Sequence, residues 1–173
     1  TVVNISEQSF TKAVQFTVTT VPTDVWNAGI NLTTIQPISN GDRLLLVFWA
    51  ITTKAPNNTG TGNFEFMQNA TPWNKYVTME QRVGTSWKMY MLPFQATADL
   101  PAGSAKFSVE LGVAVQTIQV AGVNVINYKQ AYPLTSLPAQ SNDEYVGMEP
   151  GAAWRAAADE RIEQYRKANL EID

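Results

Sequence analysis

Between about residue 10 and residue 130 the chain alternates apolar and polar positions in short runs closed by Gly, Pro, Asn or Asp, the pattern of strands and turns. Nine strands are predicted, at 14–18, 26–32, 43–52, 63–68, 75–81, 86–94, 106–111, 117–120 and 123–128. Breaks fall at Ser39-Asn40-Gly41-Asp42, along 55–62, at Val83-Gly84-Thr85, at Leu100-Pro101-Ala102-Gly103 and at Ala121-Gly122. In the run 106–112, Phe107, Val109 and Leu111 share one face while Lys106, Ser108, Glu110 and Gly112 share the other, so one side is expected in a core and the other outside. The run 44–50 is apolar on both faces, as in a central strand, which leaves Trp49 either a core side chain or a surface platform. Many short strands without intervening helices predict an all-β fold, a jelly-roll β-sandwich over residues 1–130.

The remainder reads differently. Residues 131–149, with Tyr132-Pro133, Leu137-Pro138 and Glu149-Pro150, are expected to form an extended tail wrapping over the sandwich. Residues 150–173 hold nine of the chain's 27 charged residues in an Ala-rich piece, and there a helix is predicted. Pro150 suits its first turn, and Trp154, Ala158, Ile162 and Tyr165 make one apolar stripe, which in a short helix calls for a partner. The alternation of Asn169-Leu170-Glu171-Ile172-Asp173 suggests a strand cut short.

Composition narrows the chemistry. Only 16% of residues are charged, so the surface is rich in Thr, Asn, Gln and Ser and suits neutral, hydroxylated ligands. A net charge of −3 offers no basic field for nucleic acid or an anionic membrane, and no apolar run approaches a membrane span. Without cysteine or histidine, thiolate chemistry and the usual hydrolytic triads are excluded.

Hydroxylated ligands present polar edges and weakly apolar C–H faces, so their sites combine flat aromatic rings with amides and carboxylates. Trp26 is the first platform candidate, followed by Asn27 and Asn31; the same period also places Trp26 with Ala28, Ile30 and Leu32 on a core face. Trp73 and Tyr76 lie in the polar stretch 68–76 and are candidates too, unless they fold back over the sandwich end. Trp87 is expected in the core. Glu110 on its polar face, with Glu65, Gln68 and Gln116 within expected reach of it and Lys75 nearby, would supply hydrogen bonds; each is equally readable as a solvated side chain. A glycosidase pair built from Glu65 and Glu110 is disfavoured in so acid-poor a β platform.

The piece Glu149-Pro150-Gly151-Ala152-Ala153-Trp154-Arg155, with 158–170 after it, resembles the connector ahead of family 10 glycoside hydrolase barrels, mostly endo-β-1,4-xylanases. Upstream, the stretches 41–50, 87–94 and 116–128 resemble the N-terminal domain of some of those enzymes, which is similar to carbohydrate-binding modules of the family 4, 9 and 22 type. The resemblance implies a non-catalytic domain that holds a xylanase on plant polysaccharide, xylan first, with the catalytic barrel following in the same polypeptide. It implies a secreted or cell-surface bacterial setting, and a ligand role for Trp26 and for Glu110, which match stacking and hydrogen-bonding positions of the family 22 pattern. It also allows a domain that only packs on its barrel. No cofactor is implied, and a structural calcium ion at a sandwich edge finds only the scattered Asp24, Asp42 and Asn127.

Overall fold

The computed structural model describes residues 1–6, 8–139 and 152–166. The chain divides into two units, Thr1–Asn142 and Asp143–Asp173. The first is an antiparallel β-sandwich, the jelly roll that the alternation predicts. One sheet has five strands in the order β1 (Val2–Asn4), β2 (Lys12–Val18), β9 (Gln116–Asn127), β4 (Arg43–Lys54), β7 (Lys88–Gln95). The other has four, β3 (Gly29–Thr33), β8 (Ala105–Glu110), β5 (Gly60–Gln68), β6 (Lys75–Val83). Because side chains alternate, Leu44, Leu46, Phe48 and Ala50 of β4 face Phe64 and Phe66 of β5 and Phe107 and Val109 of β8 across the interior. Phe48 stands at the centre, its ring centroid 4.8 Å from Phe64, 5.2 Å from Tyr90 and 5.0 Å from Phe107, so one side chain ties both sheets together.

Two strands depart from the expected pattern. The runs 117–120 and 123–128 are one strand, β9, because Gly122 accepts a positive φ of 58° and forms a bulge instead of a turn. Against β4, Trp49 pairs with Ala121 and Val47 with Asn124, so an extra residue is absorbed and the core positions move from Val120 to Val123 and Val125. A Cβ at Gly122 would come within 3.0 Å of Trp49 Cδ1, so the site also needs a small residue. The second departure is β1, too short to announce itself by period, which pairs with the edge of β2.

At the start of β4 the buried Asp42 joins distant parts of the unit. Its Oδ2 accepts from Asn127 Nδ2 at 2.6 Å, from the Ser39 amide at 3.0 Å and from Lys129 Nζ at 3.2 Å. Burial pushes its pKa up, but the Asn127, Ser39 and Lys129 bonds and the Lys129 charge outweigh this and hold the carboxyl below its ordinary value. A depressed native pKa means stability that is present above the unfolded pKa and lost as pH falls through the folded one. Asp42→Asn is expected to cost about 1.5 kcal/mol at neutral pH, a figure that discounts the largely exposed Lys129. It should also flatten the acid limb of a melting-temperature profile below about pH 4. An unchanged acid limb would show that Asp42 is not the titrating group.

From Lys129 the chain crosses back over the sandwich, where Arg43 Nη1 donates to the carbonyls of Gln130 and Tyr132 at 3.1 Å each and Leu137 is buried. Of the tail expected over 131–149, the part from 140 on lies outside the described residues, as do the helix start at Pro150 and the strand expected at 169–173. In the second unit, helix α1 spans Ala153–Arg166 and leaves Trp154 and Ile162 exposed on it, 47% and 43% respectively. The side chain of Tyr165, the third member of the expected stripe, also lies outside the described residues.

Candidate functional site

The four-stranded sheet turns its second face away from the core, and pairing register aligns polar side chains across it in rows. Asn31, Ser108, Glu65 and Thr78 form one row. Gly29, Glu110, Asn63 and Glu80 form the next toward one end, and Thr33, Lys106, Met67 and Lys75 toward the other. The central members are deeply set although they face outward: Glu65 is 1%, Ser108 5% and Glu110 7% exposed. The alternation at 106–112 located Glu110 correctly, but a solvated side chain was not its fate. Asn63 Nδ2 donates to Glu110 Oε2 at 3.3 Å. Lys75 Nζ donates to Glu65 Oε1 at 2.6 Å, while the buried Glu65 Oε2 meets no partner among the described residues. A buried carboxylate oxygen with unused accepting capacity is costly unless something donates to it, which makes this face a candidate for a ligand rich in hydroxyl donors.

Aromatic rings stand at both ends. Trp73 follows Pro72 in the β5–β6 loop, 48% exposed, with Lys106 Nζ 5.1 Å from its ring centroid. Since Lys106 belongs to the polar face, this contact brings Trp73 to the same end of it. Trp26 is not the first residue of a strand but part of a 3-10 turn, Val25–Asn27, and is 64% exposed. The period-2 rule holds only from Ala28 and Ile30, which are buried. Trp26 is placed beside the Glu110 end of β8, because the Leu111 amide donates to Ala28 O at 2.7 Å and the Gly112 amide to Val25 O at 3.2 Å. Gly29 permits that approach, since a Cβ there would lie 1.9 Å from Val109 O.

Three of the expected site residues do not join this face. Gln116 lies on the core side of β9, 1% exposed. Its Nε2 donates to the carbonyls of Thr61 and Leu111 at 2.7 and 2.8 Å, and its Oε1 accepts from the Thr61 amide at 2.9 Å. All three bonds go to backbone. Gln68 shares the parity of Phe64 and Phe66, at the strand end, and its Oε1 accepts from the Asn74 amide at 3.4 Å. Tyr76 is the extra residue of a bulge between Phe66 and Met67, which turns its ring onto Phe66 at 6.3 Å. Burial pushes its phenol pKa up, and its Oη has no partner among the described residues. Conversely, Asn31, Asn63, Ser108 and Lys106 belong to the face; alternation had put Ser108 and Lys106 outside, but only cross-strand register brings these four together with Glu65 and Glu110.

The outer face of the five-stranded sheet has another chemistry. Trp87, expected in the core, is half-buried there, its ring 4.9 Å from Phe10, which also lies 5.8 Å from Trp49. Met89, Met91, Val47 and Ile51 extend this apolar patch, and the amides of Gln15 and Gln119 bond each other at 2.8 Å. A cavity of about 400 Å³ at the sandwich edge is likewise walled mostly by apolar side chains, among them Leu32, Ile35, Phe66 and Val125. Neither place offers hydroxyl-binding groups as dense as those on the four-stranded sheet. No group of three or more metal-ligating side chains gathers among the described residues, and no described helix is long and apolar enough to cross a membrane.

No protein-family model matches the chain, and no curated protein matches it. Solved structures do. A CBM4 carbohydrate-binding module superposes with a TM-score of 0.56 at 16% identity over 66% of this chain and 83% of the other. The N-terminal cellulose-binding domain of Cellulomonas fimi β-1,4-glucanase C gives 0.53 at 15% identity over 66% and 78%. The CBM22-1 xylan-binding domain of Paenibacillus barcinonensis Xyn10C gives 0.54 at 13% identity over 75% and 81%. The chain therefore has the β-sandwich fold of carbohydrate-binding modules.

Proposed function

We propose that the chain is a non-catalytic glycan-binding module that holds a family 10 xylanase-type barrel, C-terminal to it in the same polypeptide, on plant cell-wall polysaccharide. Its ligand is xylan or a related β-1,4-glycan, met outside a bacterial cell or on its surface. In this reading residues 1–130 bind, 131–149 wrap the sandwich and 150–173 lead to the barrel. The observation that carries it is the outer face of the four-stranded sheet, where an exposed indole adjoins rows of hydroxyl, amide and carboxylate groups, one carboxylate oxygen being buried and without a partner among the described residues. Trp73 and Trp26 would stack on sugar faces, Glu65, Glu110, Asn31 and Ser108 would bond hydroxyls, and Lys75 would hold Glu65 in place. The fold shared with cellulose- and xylan-binding modules supports the same reading.

Affinity electrophoresis of the chain in gels containing xylan, β-glucan, mannan or arabinogalactan tests it, with retardation expected in xylan. Since Glu65 and Glu110 occupy diagonal positions of one face, release of reducing sugar is measured alongside and none is expected. Turnover that survives repurification and vanishes in Glu65→Gln would make the chain an enzyme. A second reading, a domain that only packs on its barrel, is favoured by the Phe10, Trp49 and Trp87 patch. Retardation in no polysaccharide would select it.

A further inference from the structure

We infer that the Trp73 end of the polar face reads a carboxylate-bearing sugar, a uronate unit carried by the glycan; this rests on the glycan-binding reading above. The face is polarised along its strands. The row at the Trp73 end carries two ammonium groups, Lys106 and Lys75, whereas the row holding Glu110 and Glu80 carries two carboxylates. Lys106 and Glu110 are four residues apart on one strand, roughly 13 Å at the usual rise. A neutral chain would gain nothing from such a gradient, but a chain with an anionic substituent is placed and oriented by it.

The two lysines differ in what answers their charge. Lys75 is paired with Glu65 at 2.6 Å. Lys106 forms no ion pair with any described carboxylate, and its ammonium is held instead over the Trp73 ring at 5.1 Å. An aromatic ring with an unanswered cation over one of its sides fits a glycan whose backbone sugar stacks through its C–H face on the free side or edge while a branch presents its carboxylate to the ammonium. Trp73 is fixed in that role by its backbone: φ is +60°, rare for a bulky residue, and its amide donates to Ala70 O at 2.8 Å. The carboxylates on the same face do not oppose the ligand, since Glu65 is compensated by Lys75 and Glu110 belongs to the far row.

Titration calorimetry of the whole chain compares a neutral β-1,4-xylo-oligosaccharide with the same oligosaccharide bearing one glucuronosyl branch, at low and high salt. The branched ligand is expected to bind about fivefold more tightly at low salt, the scale of one exposed ion pair. The preference should fade as salt rises, disappear in Lys106→Met and return in Lys106→Arg, with melts checking that each variant is folded. Equal affinities in the parent chain, or a preference that survives Lys106→Met, would overturn the inference and leave the glycan-binding reading standing. Binding of neither oligosaccharide would overturn both.

Discussion

Trp73→Ala is expected to weaken glycan binding by about five- to a hundredfold, on the order of 1–3 kcal/mol by analogy with aromatic hot spots and with ring stacking on nucleobases, while leaving the melting temperature nearly unchanged. The two halves of this expectation have one cause. The ring is 48% exposed and sits in a loop, so it contributes little to the core; what it offers is a flat apolar surface for a sugar face. Lys106 occupies one side of the indole, which directs a stacking sugar to the other side or the edge. Trp26→Ala should weaken binding less, or only for longer oligosaccharides, because Trp26 stands at the opposite end beside Glu110. Tyr76→Ala should act on stability, since that ring packs on Phe66. Calorimetry paired with thermal melts separates the effects, and full affinity in both tryptophan variants would move the site off this face.

Phe48→Ala is expected to destabilise the sandwich by about 3–5 kcal/mol, the cost of deleting a fully buried phenyl ring and leaving a cavity. The upper range applies because the ring touches aromatic side chains from three other strands, β5, β7 and β8, in both sheets, so no single neighbour can move in to fill the space. Against a typical domain stability of about 5–15 kcal/mol, such a loss brings the chain close to unfolding at moderate temperature. Phe48→Leu, which keeps most of the volume, should cost far less. Urea denaturation measures both, and a loss below about 1 kcal/mol in Phe48→Ala would mean that the two sheets repack without it.

Where alternation is regular and the strand lies between two others, residue order alone determined the outcome. Phe107, Val109 and Leu111 went inward and Ser108 and Glu110 outward as the period requires, and eight of the nine strands overlap stretches that the pattern marked. The sandwich class followed from this, because strands with one apolar face must bury it against a second sheet. Tertiary structure decided the rest. A bulge at Gly122 merged two expected strands, and a second one at Tyr76 sent that ring inward; each shifts parity by one residue, a change dictated by the partner strand and invisible to a local period. Gln116 reads as a surface amide until Thr61 and Leu111 are folded against it, when it becomes a buried clamp on their backbone groups. Glu65, 43 residues before Ser108 in the chain, becomes its neighbour only through register, and so the row that makes the polar face a candidate site exists in the sheet and nowhere in the sequence.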